Sequence, residues 1–269
     1  MIKDRLYYKN KILERLNHSK DDIIEQFGQN EIKSFVLDDL LPEEDAHEIY
    51  NVFPQDKDMH LKKTIREYKY IDAQLDKHTK LLEEITFAFH HQDILDFFSN
   101  NFGMHELIAD TSLYAGGLSR MEKDHYLNPH LDNSHNKDRS LYRAVNLLFY
   151  VTPDRKLEDG GNLELWDNGV SGGGSRVIHS KFNRLAVMVT DKNSWHSVSK
   201  VISGNRCCVS NYYFSKEPLN QDYFHVTSFK GFPDQTLRNI VLTTDNTLRM
   251  LIRKIFKKGA YKVTHQYKR

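Results

Sequence analysis

The sequence predicts a mainly β fold, an antiparallel sandwich or barrel, preceded by helices and followed by a helical extension. Two observations carry this reading. Between about residues 106 and 216, short β-branched, aliphatic and aromatic runs recur, separated by Gly, Asn, Asp and Pro. On either side of that stretch, apolar residues recur at helical spacing among charges.

The composition sets bounds. Of 269 residues, 39% are hydrophobic, enough for a sizeable buried core. Lys and Arg number 38 against 37 for Asp and Glu, so global charge indicates no nucleic-acid partner. The opening MIKDRLYYKNKILERL breaks its apolar positions with charges and reads as neither a signal peptide nor a membrane span. No later stretch reads as a transmembrane segment. The adjacent Cys207 and Cys208 make a poor structural staple. They read as reduced thiols, one of them facing the core, in a cytoplasmic protein.

In chain order, residues 1–30 read as helix through Ile2, Leu6, Leu13 and Leu16, with a second start at Ser19. EIKSFVLDDLL reads as a strand, and PEEDAHEIYNVF as a helix with Pro42 and acids in its first turn. Residues 73–102 read as two helices. The strands follow: LIADTSLYAGGLSRM, RAVNLLFYVT, GNLELWD, SRVIHS, RLAVMVT, HSVSKVI and RCCVSNYYFS. Gly160-Gly161 reads as a hairpin turn, and SGGGS at 171–175 as a loop tip. From Arg238 on, nine basic residues face a single acid, Asp245. There TLRMLIRKIFKKG reads as a helix capped by Thr247 and ending at Gly259. It is expected to pack Leu248, Leu251, Ile252 and Ile255 on the barrel and leave its cations in water, the alternative being that it binds an anionic substrate, a nucleic acid or a membrane surface.

The chemistry lies in NPHLDNSH. Residues i and i+2 of a strand share a face, so His130 and Asp132 can chelate one ion. A third ligand from elsewhere would complete two imidazoles and a carboxylate, the facial triad of non-haem Fe(II) oxygenases. His135, His179 and His196 are the candidates. His196 is preferred because Arg206 follows it by ten residues, in the next strand. A co-substrate that chelates iron through a keto acid needs a cation for its far carboxylate, and arginine offers a matching fork. A zinc site using His135 is the alternative.

Together these residues resemble the catalytic core of iron(II)/2-oxoglutarate dioxygenases of the prolyl 4-hydroxylase-like superfamily. The resemblance runs through DHYLNPHLD, NLLFYVTP with DGGNLELW, FNRLAVMVTDKNSWHSV and GNRCCVSNYYF, and extends to SFVLDDLLPEEDAHEIYNVF. It implies a double-stranded β-helix (jelly roll) at 106–216 within one dioxygenase domain, with a helical part at 1–105 and an extension at 217–269. It implies His130, Asp132 and His196 as catalytic iron ligands and Arg206 as the 2-oxoglutarate anchor, with O₂ as oxidant and ascorbate as reductant. Many relatives place a tyrosine nine residues before the first ligand, where this chain has Met121. Arg120, Tyr126, Tyr142 or Tyr150 would then supply the second co-substrate contact, with Tyr126 and Asn146 as the co-substrate-binding candidates. Asn211 is weighed against a structural hydrogen bond, Trp195 against packing, and the loop 133–143 as a substrate lid. The implied reaction is hydroxylation of a small metabolite or an amino-acid or peptidyl substrate, with release of succinate and CO₂. A non-catalytic jelly-roll binding or sensing module is the alternative.

Overall fold

The computed structural model describes residues 3–104, 106–219, 224–255 and 266–268. Two N-terminal helices, α1 (Arg5–His18) and α2 (Lys20–Gly28), lead into β1 (Ser34–Leu37) and α3 (Glu43–Asn51). The chain goes on through β2 (His60–Lys63), β3 (Glu67–Asp72), α4 (Lys80–Ala88) and α5 (Gln92–Phe102). The strands β4 (Ile108–Ala109), β5 (Gly117–Met121), β6 (Tyr126–Leu131), β7 (Tyr142–Tyr150) and β8 (Leu163–Leu165) follow. After them come β9 (Arg176–Ile178), β10 (Arg184–Val189), β11 (His196–Val198), β12 (Arg206–Ser215), β13 (Ser228–Phe229) and α6 (Thr236–Ile255).

The strands pair antiparallel in the order β1-β10-β7-β12-β5-β3-β6-β11-β8-β9 and curl into a nearly closed, jelly-roll-like barrel with helices at the termini. The central strands explain the near-continuous apolar runs. In β7, Val145, Leu147 and Phe149 join the cluster under the N-terminal helices, while Leu148 and Tyr150 join the barrel interior. In β10, Leu185, Val187 and Val189 face the helices, whereas Ala186 and Met188 face inward. Both faces are covered, so neither needs polar residues. Cys207 and Cys208 split the same way, each a free, buried thiol.

Four expectations change. In α1 the buried positions are Tyr8, Ile12 and Leu16, and Leu6 is exposed. The charged hairpin β2–β3 carries too little apolar periodicity to be read as strands, yet β3 pairs with β5 and β6. Gly160-Gly161 joins no hairpin, because β7 pairs with β10 and β12 while β8 pairs with β11 and β9. It is a crossover, with both glycines at positive φ and a Cβ on Gly160 falling 2.0 Å from the Lys200 carbonyl oxygen. Finally, α6 starts eleven residues before Thr247, at Thr236, and its expected end at Gly259 lies outside the described residues. Thr247 sits mid-helix and donates to the Thr243 carbonyl. Leu248, Leu251 and Ile255 are exposed rather than packed on the barrel.

Candidate metal centre

His130 is the penultimate residue of β6 and His196 begins β11, and the register pairs the two residues directly across the strands. Their ring centroids lie 4.1 Å apart. Asp132 follows two residues after His130, just past the end of that strand. One oxygen of its carboxylate stands 3.7 Å from Nε2 of His130, and the other 3.7 Å from Nε2 of His196. One ligand atom from each residue falls within 4.8 Å of the others. His135 stands apart from this group. It is buried, its ring 4.3 Å from that of Tyr142 and its Nδ1 2.7 Å from the Ser134 hydroxyl.

The donor set fits a divalent cation. Nδ1 of His130 lies 3.0 Å from the Asn128 carbonyl, and Nδ1 of His196 lies 2.9 Å from the Ser194 carbonyl. A carbonyl only accepts, so each Nδ1 carries the proton and each Nε2 turns a lone pair to the centre. Burial pushes both imidazoles down, His130 to about 3, so they are neutral donors at ordinary pH. Burial alone would raise the carboxyl of Asp132. Arg143 at 3.2 Å, the two histidines and an Asn146 hydrogen bond outweigh it and hold that carboxyl well below the usual range. Asn146 donates to Asp132 Oδ2 at 2.7 Å and so orients a candidate ligand, while it lines the cavity and its buried Oδ1 has no hydrogen-bond partner.

A cavity of about 450 Å³ is lined by the triad and by Arg206. Arg206 is 4% exposed, has no ion-pair partner among the described residues, and leaves its Nε without a hydrogen bond. The apolar Leu148, Leu163 and Val198 line the same cavity. The Met121 sulfur stands 3.8 Å from Nη1, and the Tyr150 ring lies 4.9 Å away. A buried guanidinium left without a carboxylate is costly, and a bound anion would relieve it.

The remaining candidates disperse. Arg120 turns out of the cavity to Glu122 and the Pro54 carbonyl. Tyr126 lies off the cavity: its hydroxyl donates to the Thr64 carbonyl at 3.3 Å and Arg238 sits over its ring. Tyr142 packs on His135, which leaves Tyr150 as the tyrosine against Arg206. Asn211 accepts through Oδ1 from His90 Nε2 at 2.8 Å, a structural bond, and Trp195 packs under Lys230. The loop 133–143 is tied down: Ser134 and His225 exchange hydrogen bonds, and Arg139 lies over Phe224 and donates to the Arg253 carbonyl.

Four contributors were not read from the sequence. Arg143 carries no local motif, since its contact with Asp132 crosses strands. Lys69 and Glu67 reach the cavity from the unread hairpin. Phe229, in β13, stacks on His130 at 5.2 Å and 17°, so the C-terminal extension helps to build the centre. Asn246 of α6 pins both backbone groups of Phe229.

Residues 116–214 match the model of the 2OG-Fe(II) oxygenase superfamily. Solved structures share the fold. A Pseudomonas putida prolyl-4-hydroxylase is 11% identical, with a TM-score of 0.54 over 73% of this chain and 98% of that one. A Trichoplax adhaerens prolyl hydroxylase in complex with a hypoxia-inducible-factor peptide is 15% identical, with a TM-score of 0.53 over 78% and 96%. A Phytophthora capsici prolyl 4-hydroxylase is 16% identical, with a TM-score of 0.53 over 97% and 82%. No curated protein matches the chain by sequence.

Proposed function

We propose that this chain, a dioxygenase whose residues 116–214 belong to the 2OG-Fe(II) oxygenase superfamily, hydroxylates a C–H bond of a small metabolite or an amino-acid or peptidyl substrate. The family implies Fe(II), 2-oxoglutarate and O₂. In this reading His130, Asp132 and His196 hold the iron and Arg206 anchors the far carboxylate of 2-oxoglutarate. The observation that carries it is the sharing of one cavity by the triad and a buried, unpaired arginine.

Bound there, iron with its co-substrate and O₂ supplies the oxidation of a C–H bond, coupled to decarboxylation of 2-oxoglutarate to succinate. The chain's own residues bind and orient. The two Nδ1–H groups fix the imidazoles, Arg143 and Asn146 fix the carboxylate, and Leu148, Leu163 and Val198 keep water from the co-substrate end. Lys62, Arg66, Lys69 and Arg249 line the rest of the cavity, which supports a polar substrate.

The test is succinate formation from 2-oxoglutarate with added Fe(II). The wild type forms succinate, and Arg206→Ala raises its 2-oxoglutarate requirement by roughly ten- to a hundredfold, the loss of a charge-assisted contact. An alanine variant with unchanged 2-oxoglutarate affinity would remove Arg206 from this role.

A further inference from the structure

Helix α6 is turned inside out. Its polar face meets the barrel: Asn246 pins Phe229, Arg249 donates to the Thr227 carbonyl and to Asn246, and Arg253 donates to the Lys137 carbonyl. Leu242 is the buried aliphatic residue on that side. On the opposite side Leu237, Val241, Leu248, Leu251 and Ile255, spaced by whole turns and flanked by Ile240, form one aliphatic stripe. All six are exposed, from 52% at Val241 to 81% at Leu237. They run along about 30 Å of helix, far beyond the scattered apolar residues of an ordinary surface.

Charge narrows what covers this stripe. From Arg238 to the end the sequence carries nine basic residues and one acid. That acid, Asp245, is held by both Arg66 and Arg249. Lys137 and Arg139 lie against the same end of the helix through their bonds with Arg253, while the neighbouring Asp138 is engaged by Ser140. A second copy of this chain would bring like charges together, and a nucleic acid would leave the stripe in water. An anionic bilayer satisfies both features, taking the stripe among its acyl chains and meeting, at its headgroups, a segment whose sequence is net basic. No helix of the described residues is long and apolar enough to cross a membrane, so the contact is one of lying on the surface.

We infer that α6 is a docking helix for the surface of an anionic lipid bilayer. Because α6 holds β13 in place and contributes Arg249 to the cavity, docking keeps the cavity close to the lipid surface.

Flotation of the full chain with vesicles tests this. It floats with vesicles of phosphatidylcholine and phosphatidylglycerol, stays behind with phosphatidylcholine alone, and is released by raised salt. The double variant Leu248→Glu, Leu251→Glu loses binding by roughly tenfold or more. Its unchanged thermal melting shows that the fold survives. Three results would overturn the inference: no flotation of the wild type, equal flotation of the double variant, or a wild-type dimer in light scattering that the double variant converts to monomer.

Discussion

His130 and His196 are oriented by one device used twice: a ring N–H given to the carbonyl two residues earlier in the chain. Such partners set which nitrogen faces the centre and how basic it is. Asp132 is held from the side by Arg143 and Asn146, and that has a measurable consequence. Asn146→Ala removes one orienting hydrogen bond and should weaken binding of a divalent metal by about ten- to a hundredfold, read by titration with Mn(II). Unchanged affinity would make Asn146 a structural residue only. The sequence made His130, Asp132, His196 and Arg206 legible because a two-residue chelate, a strand-end histidine and a strand arginine leave spacings that can be read. Arg143 and Phe229 leave none, since each reaches the site across the sheet. Tyr126 shows the converse: it is close in sequence to the first ligand but lies off the cavity, bonded to Thr64.

At the scale of elements, two joints bear the load of positioning. The first fastens β1 to the barrel through Asp38, whose carboxylate meets Arg184 and Lys181. Burial alone would raise this carboxyl, but those two cations bring it down to about 2. The unfolded carboxyl titrates near ~4, so the stabilisation is present above that pH and lost as pH falls toward 2. Asp38→Asn should therefore cost about 1–2 kcal/mol in denaturant unfolding at pH 7, with the difference from wild type shrinking at low pH. The second joint is Gly160. A side chain there meets both a positive φ and the Lys200 carbonyl, so Gly160→Ala should destabilise by more than ~1 kcal/mol. A neutral substitution would contradict the tight crossover. Strands with both faces buried, such as β7 and β10, announce themselves by composition. The β2–β3 hairpin does not, because its charged side chains serve the cavity wall and its pairing is set by strands distant in sequence.

Across the whole molecule, the centre draws on more of the chain than the 116–214 match. The N-terminal helices and the barrel share one apolar cluster, and β13 with α6 closes the side of His130. Local patterns identified the barrel and the helices, whereas closure by the C-terminal extension depends on long-range packing. The polarity of α6 shows why. Its amphipathic pattern is plain in the sequence, but only tertiary contacts decide which face is turned inward. The most direct test of the central claim is Mn(II) binding by calorimetry, comparing the wild type with His196→Ala and His135→Ala. The account predicts one metal per chain in the wild type and in His135→Ala, and loss of binding in His196→Ala. Retention of metal by His196→Ala, with loss in His135→Ala, would contradict it.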